Sequence, residues 1–458
     1  MQIFQIIHNI TPQNQPLPVI PDLIGNLIVM PGLDRHPRHH VITLKKNTYL
    51  CRAKSLFYNI QMNKITITTI IAALTLLMAS CTSIKDDHTL KNTEVEYTFP
   101  GEWEKHEGTW LIWPHNYGVI VSEYVDMIDD VWVTMTKALH SGERVHIVAY
   151  DAQERSRIST LLQEEGVDMS QVDFLLAETD QFWARDCGPM YAIDSEGNPA
   201  ILDWGFNGYG RMDKLGPDVP EDLRWEMPEF VREEYLENYV KDDFLAKTIA
   251  EATGVEHVNL NGFILEGGAI ESDGCGTIIT TESCILNENR NPGTTRKQAE
   301  IYFKKYLGAT NVIWLEGTPD EDITDGHIDG LVRFADANTI VTMTKEDYYE
   351  TYDYTPRGDY SKVINAKNAA GKKYNIVTLP ITAEDVEWLG WRANYLNYYA
   401  GNDVVLVPVY DDVMDAEALR ILGEIYPDKE IIPINGEVLA LLGGGIHCVT
   451  QQQPIFSY

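Results

Sequence analysis

The chain has 458 residues, with 36 Lys and Arg against 69 Asp and Glu, a net charge of −33 at pH 7. Residues 1–81 hold only seven basic and two acidic residues, so the remaining part carries 29 basic and 67 acidic, a net charge of about −38. Such a surface excludes nucleic acid and an anionic membrane face as natural partners. It favours approach of a cationic ligand, and the solubility of a secreted protein accounts for the charge equally well.

In chain order, residues 1–61 precede a complete secretion signal. At Met62 the sequence begins afresh with a basic MNK, an apolar ITITTIIAALTLLM and a closing ASC. The apolar run is too short for an ordinary transmembrane helix. Ala79 and Ser80 before Cys81 resemble the lipobox of bacterial lipoproteins. By that resemblance residues 62–81 are a lipoprotein signal, Cys81 carries the lipid, and Met62 rather than Met1 is the functional start. The alternative is a plain signal peptide with a chance cysteine. SIKDDH after Cys81 resembles the Lys-acidic-acidic tag of some surface-displayed lipoproteins, or is a charged tether. Residues 82–95 are polar and read as a linker. The expected location is the cell envelope, reached through the lipid anchor alone.

Residues 96–458 read as one catalytic domain of alternating helices and strands. A helix capped at Ser122 and running to about His140 carries Val125, Ile128, Trp132, Met135 and Leu139 on one face. The strand VHIVAY (145–150) follows. Helices at 242–253 and 295–307 stop at Gly254 and Gly308, one near 361–370 at Gly371, and one at 415–426 meets Pro427. Each is followed by a strand, near 255, 311, 375 and 430. Between these lie hairpin-like segments such as AIESDGCGTIITT and LVRFADANTIVTM. The spacing of roughly 55–65 residues suggests a repeated α/β module. No GxGxxG follows a strand, which makes a Rossmann sheet the weaker reading. Residues 207–241, rich in Asp, Glu, Tyr, Trp and Pro, look like an insertion: a recognition loop or a charged decoration.

Past Cys81 the chain has four cysteines, Cys187, Cys275, Cys284 and Cys448. They are too few for a disulfide framework, although Cys275 and Cys284 could pair. No zinc-type spacing is present.

Four short stretches carry chemistry: WARDCGP (183–189), LEGGAIESDG (265–274), GHIDG (326–330) and GGGIHCVTQQQP (443–454). They supply carboxylates at Asp186, Glu266 and Asp329, histidines at His327 and His447, and a thiol at Cys448. All fall in loops or strand ends between modules, where they can gather around one axis. This set of side chains suits attack on a guanidinium group, which is planar, cationic and weakly electrophilic. Carboxylates grip the nitrogens, a thiolate attacks the carbon, and a histidine moves protons to ammonia and from water. The substrate's own positive charge and a nearby histidine would favour the thiolate. Blander readings stand beside this one. Asp186 could pair with Arg185, Glu266 could be a turn residue, and His447 could hold its loop. Trp183 could be core or could stack on a cation. His327 and Asp329 could bind metal.

FPGEWEKHEGTWLIWPH (99–115), WARDCGP, GFILEGGAIESDGCGTIITTESCILNENRNP (262–292), GHIDGLVRF (326–334) and GGGIHCVTQQQP together resemble the agmatine deiminase and Porphyromonas-type peptidylarginine deiminase family. The likeness runs in order from about 97 to 456. It implies a pentein fold, a fivefold pseudo-symmetric α/β propeller, with no cofactor and no metal. Matched motif by motif, it makes Cys448 the nucleophile and His327 the acid and base. Asp186 and Asp329 become guanidinium grips, Glu266 a supporting residue and Trp183 a wall of the site. The family's agmatine enzymes usually read GGGNIHC and RDTGP, whereas this chain has GGGIHC and RDCGP, the latter placing Cys187 beside the site.

The expected reaction is hydrolysis of agmatine to N-carbamoylputrescine and ammonia through a cysteine thiouronium intermediate. The close alternative is conversion of peptidylarginine to peptidylcitrulline, favoured by export, with Arg211 binding a peptide C-terminal carboxylate. Two further alternatives are an inactive cation-binding surface lipoprotein and a metal-dependent hydrolase using His327 and Asp329. The sequence sets no oligomeric state.

Overall fold

Short runs of β-branched and aliphatic residues form seventeen strands in the described part of the chain. They are β1 (Tyr97–Thr98), β2 (His106–Ile112), β3 (Arg144–Ala149), β4 (Val172–Leu176), β5 (Met190–Asp194), β6 (Pro199–Gly205), β7 (Glu256–Ile264), β8 (Ile270–Ser272), β9 (Thr277–Thr281), β10 (Asn311–Leu315), β11 (Arg333–Asp336), β12 (Thr339–Met343), β13 (Asn375–Leu379), β14 (Tyr399–Ala400), β15 (Val404–Val409), β16 (Glu430–Asn435) and β17 (Gln451–Pro454). The computed structural model describes residues 96–115, 125–210, 239–351, 355–387 and 389–456. All of them belong to the compact unit Asn92–Tyr458. The signal at 62–81, Cys81, the linker at 82–95, Arg211 and most of the 207–241 insertion lie outside the described residues.

The strands form five sheets with the orders β1-β5-β6-β7, β10-β9-β8, β11-β12-β13, β14-β15-β16 and β17-β2-β3-β4. One plan repeats in all five. An antiparallel pair comes first: β5–β6, β8–β9, β11–β12, β14–β15 and β17–β2. The second strand of each pair then takes a parallel partner: β7, β10, β13, β16 and β3. Parallel partners need a crossover, and in several of the five units a helix supplies it. This is the expected α/β module, and its parallel strands start at residues 256, 311, 375 and 430. The β17–β2 pair unites distant ends of the chain. Gln453 Oε1 accepts from Trp110 Nε1 at 2.9 Å and from Tyr191 Oη at 2.8 Å, tying this sheet to its neighbour.

The helices follow their sequence signals. Val125–Leu139 buries Ile128, Trp132, Met135 and Leu139, the expected face, and the Trp132 indole donates to the Ile112 carbonyl at 2.9 Å. Arg296–Leu307 opens on a capping box formed by Thr295 and Gln298 and buries Ala299, Phe303 and Leu307. It ends at Gly308 with φ 66°, as Leu245–Thr253 ends at Gly254 with φ 73°.

The helix expected near 361–370 is shorter and earlier, Asp359–Ile364. Asn side chains compete with helical hydrogen bonds and end it. Asn368 Oδ1 accepts from Ala370 N at 3.1 Å and Lys372 N at 2.9 Å, so Gly371 serves a turn rather than a helix end. The possible Cys275–Cys284 pairing also fails. Both thiols are free; Cys275 is exposed and Cys284 is buried.

Because the plan repeats, so does the segment before each antiparallel pair. Ala184–Cys187 precedes β5, Gly267–Ala269 precedes β8, Ile328–Gly330 precedes β11, Asn397 precedes β14, and His447–Val449 precedes β17. The chemical motifs read in the sequence occupy these equivalent positions.

Candidate active site

Gly268 marks the centre of the site. A methyl group on its Cα would lie 2.5 Å from His327 Nδ1, 2.9 Å from Asp186 Oδ1 and 3.1 Å from Asp329 Oδ2. Side chains from two of the five repeated segments therefore meet at Gly268, which belongs to a third, and only glycine leaves them room there. Cys448, from a fourth segment, has its Sγ 3.7 Å from Asp329 Oδ2. Asp186, Glu266, His327 and Asp329 are buried, whereas Cys448 is partly exposed. The thiol thus faces the more open side of a buried acidic site.

Each sequence-selected side chain has a distinct environment. Asp186 does not pair with Arg185. Its Oδ1 accepts from Gly268 N at 2.9 Å and lies 3.7 Å from His327 Nδ1. Its Oδ2 accepts from Tyr209 Oη at 2.9 Å. Burial pushes the Asp186 carboxyl above its usual range, and the His327 ring opposes that shift.

Glu266 is no mere turn residue. It is fully buried and accepts from Arg290 Nε at 2.7 Å. Burial would raise its pKa, but the Arg290 charge and the His327 ring hold it below the usual range. Arg290 also reaches Asp325 Oδ2 at 2.6 Å.

His327 is 4 % exposed, and neither ring nitrogen has a hydrogen-bond partner. Its ring meets Tyr209 edge-on, with centroids 6.0 Å apart. A buried histidine with both nitrogens free stands ready to bond whatever enters the site.

Asp329 accepts from His447 Nδ1 at 2.7 Å. Burial opposes its ionisation, yet the hydrogen bond and charge of His447 bring its pKa to about 2. For Cys448, burial and then the negative charges of Asp329 and Asp186 push the thiol well above its usual range. In the free site these influences favour the thiol over the thiolate.

His447 does more than hold its loop. Its Nε2 lies 2.7 Å from Glu102 Oε2, so the ring bridges two buried carboxylates. Both contacts are donated only when both nitrogens carry protons. Glu102 also takes Arg185 Nη2 at 3.2 Å, Arg333 Nη2 at 2.8 Å and Ala400 N at 3.0 Å. Burial would raise its pKa, but Arg333, His447 and Arg185 hold it well below the usual range.

Trp183 packs on the loop that leads to Cys448. A methyl on Gly444 would fall 2.4 Å from its ring, so the glycine permits that contact. Cys187 is not part of the site. It packs in the core and its thiol donates to the Trp183 carbonyl at 3.3 Å.

Sequence reasoning missed three neighbours. Tyr209 adopts φ 59° between Gly208 and Gly210, both also left-handed, a conformation that costs a tyrosine roughly 1–3 kcal/mol. That turn delivers its hydroxyl to Asp186. Asn397 Oδ1 accepts from His447 N at 2.9 Å and Cys448 N at 3.3 Å, and lies 3.4 Å from Cys448 Sγ. Nothing in its local sequence, YLNYYAG, marks it. Glu102 sits within FPGEWEKHEG beside Glu104 and Glu107, and nothing local marks which of the three is buried.

The only three metal-ligating side chains whose ligand atoms converge among the described residues are Glu266, Cys284 and His327. Asp329 is outside that set and is committed to His447, which counts against a metal centre built on His327 and Asp329.

The profile of the Porphyromonas-type peptidyl-arginine deiminase family matches residues 98–454. The chain belongs to this family. Agmatine deiminase of Stutzerimonas stutzeri is 30% identical over 380 residues, covering 78% of this chain and 95% of that relative. Among solved structures, agmatine deiminase of Enterococcus faecalis aligns with TM-score 0.65 and 26% identity over 78% of this chain and 96% of that one. The C. jejuni agmatine deiminase aligns with TM-score 0.61 and 25% identity over 80% and 98%. As a member of this family, the chain is a hydrolase acting on the C–N bond of a guanidino group.

Filling the space around Gly268 tests whether that space is the substrate's. Gly268→Ala is expected to lower kcat/KM by at least about 100-fold, the effect of misplacing reactants by about 1 Å. Circular dichroism should show the fold retained. A variant that folds and keeps near-normal ammonia release would place the substrate elsewhere.

Proposed function

We propose that this protein hydrolyses agmatine to N-carbamoylputrescine and ammonia. The observation that carries the reading is the convergence of Asp186, His327 and Asp329 on one glycine-walled space, with Cys448 beside Asp329. Planar guanidinium groups are gripped best by fixed carboxylates. Asp186 and Asp329 come from different modules and are both held by other groups, so their oxygens are pre-positioned.

The bound cation changes the electrostatics of Cys448. Free, the sulfur faces two carboxylates and stays protonated. A guanidinium between them offsets that negative charge and favours the thiolate. The thiolate attacks the central carbon and forms a C–S bond. His327 gives a proton to one nitrogen, whose C–N bond breaks to release ammonia and leave a thiouronium. Water then attacks the same carbon while His327 accepts its proton. The C–S bond breaks, releasing the ureido product and the thiolate. Glu266, fixed by Arg290, holds His327 in place from its other side.

Peptidylarginine is the second reading. The secretion signal at 62–81 supports it, since an exported enzyme meets peptides. Ammonia release with agmatine, free arginine and a C-terminal-arginine peptide, measured side by side, separates the two. Agmatine is expected to give the highest kcat/KM, and Cys448→Ala to lose turnover by several orders of magnitude with every substrate. Faster turnover of the peptide, together with a tenfold rise in its KM in Arg211→Ala, would transfer the assignment to peptidylarginine. Near-normal release by folded Cys448→Ala would sink the covalent mechanism.

The pH behaviour follows from the direction of the Cys448 shift. Thiolate absorbance of the free protein, taken as the difference from Cys448→Ser, should titrate above the ordinary thiol value of about 8.5. The alkaline rise of kcat should lie below that midpoint, because bound substrate favours ionisation. A free-enzyme midpoint near 7 would refute activation by the substrate.

We also propose that Cys81 is lipidated and holds the protein at the cell envelope. The lipobox-like ASC supports this. Among the described residues no helix is long and apolar enough to cross a membrane. Cys81→Ala is expected to move the protein from the membrane fraction to the soluble one. Retention in membranes after a high-salt wash would disprove the anchor.

A further inference from the structure

His327 has a second set of neighbours on the side facing away from the substrate space. Its Nε2 is 4.0 Å from Glu266 Oε2, and the Cys284 thiol points at that same oxygen from 3.5 Å. The three ligand atoms lie within 4.8 Å of one another and all three side chains are buried. Tetrahedral zinc bound to sulfur, nitrogen and oxygen sets its ligand atoms roughly 3.3–3.6 Å apart, given the usual bond lengths. The sulfur–oxygen separation already fits, and the imidazole nitrogen has to move closer to both other atoms, from 4.0 Å at Glu266 Oε2 and from within 4.8 Å at the sulfur.

The surroundings also suit an ion. Arg290 occupies Glu266 Oε1 and leaves Oε2 to the Cys284 thiol, fixing the carboxylate from behind. Asp186 Oδ1 lies on the other ring nitrogen of His327, 3.7 Å from Nδ1. A carboxylate behind a histidine ligand is the usual outer-sphere arrangement at zinc. A divalent ion that displaces the Cys284 proton meets one thiolate and one carboxylate, and their charges cancel its own. The unpartnered nitrogens of His327, nine-tenths buried, give the site its third ligand.

We propose that Glu266, Cys284 and His327 form an inhibitory site for zinc or a similar borderline-soft divalent cation. Binding releases the Cys284 proton to solvent and occupies His327 Nε2. The inhibitory effect rests on His327 as the proton-transfer group, whereas the binding itself does not. Cys284 is otherwise outside the catalytic machinery.

The test has two readouts. Zinc at micromolar concentration is expected to suppress ammonia release, with EDTA restoring it, and Cys284→Ala to require at least tenfold more zinc for the same inhibition. Independently of turnover, Co²⁺ titration should give a thiolate-to-cobalt charge-transfer band in the wild-type protein, in Cys448→Ser and in Cys275→Ser, but not in Cys284→Ser. Equal zinc sensitivity of wild type and Cys284→Ala overturns the proposal, as does a band lost in Cys448→Ser and kept in Cys284→Ser. Zinc that activates also overturns it. If the Cys284 variants fail to fold, zinc-edge X-ray absorption on the wild type and Cys448→Ser decides. One sulfur at about 2.3 Å in both supports the site, and its loss in Cys448→Ser rejects it. Failure of every guanidino substrate to release ammonia would defeat the functional reading while leaving the cobalt result to stand or fall alone.

Discussion

One buried carboxylate, Glu102, joins the modules of this protein. It bonds Arg185 ahead of β5, Arg333 in β11, Ala400 in β14 and His447 ahead of β17. Glu102 itself stands just before β2. Arg333 in turn takes Glu271 at 2.6 Å and the carbonyl of Leu396 at 3.1 Å. Removing one member of such a network strands its buried partners, at a cost of about 3–5 kcal/mol. The network makes position mutually dependent. His447 is held by Glu102, and Asp329 is held by His447. The position of Asp329 beside Gly268 is therefore set by charges that lie outside the space these residues share.

The two carboxylates beside the substrate space are held in contrasting ways. Asp329 is bonded to His447 and stays ionised to low pH, whereas burial favours the protonated form of Asp186. Asp186 receives one hydrogen bond from Tyr209 and one from a backbone amide. Strain in the Tyr209 turn is spent on that contact. Glu266, in turn, is locked to Arg290 at 2.7 Å.

Much of this was legible in the sequence, for a physical reason. The helix ends at Gly254 and Gly308 and the hairpins at 269–281 and 331–343 are local signals, and each appears where the sequence places it. The module spacing follows from them. Asp186, His327, Asp329 and Cys448 were legible because their glycine-rich motifs are conspicuous, and the repeated fold brings those motifs to equivalent places. Asn397 and Tyr209 were not, since their contacts span 51 and 23 residues and leave no local pattern. The overlong helix at 361–370 was a local misreading: a glycine ends turns as readily as helices, and Asn368 chose the turn.

The carboxylates around Cys448 have a consequence beyond catalysis. Peroxides and other oxidants attack thiolates far faster than thiols, and the product can pass to acids that no ordinary reductant restores. The Cys448 residue is partly exposed, and the burial and carboxylates that raise its pKa favour the less reactive thiol while the site contains no cation. A nucleophile with a permanently low pKa would be ionised at rest and would wear out with time spent in an oxidising medium. Under the proposed mechanism the reactive form is favoured by a bound substrate, which occupies the space an oxidant would need, so chemical ageing of the enzyme would be separated from its readiness to act.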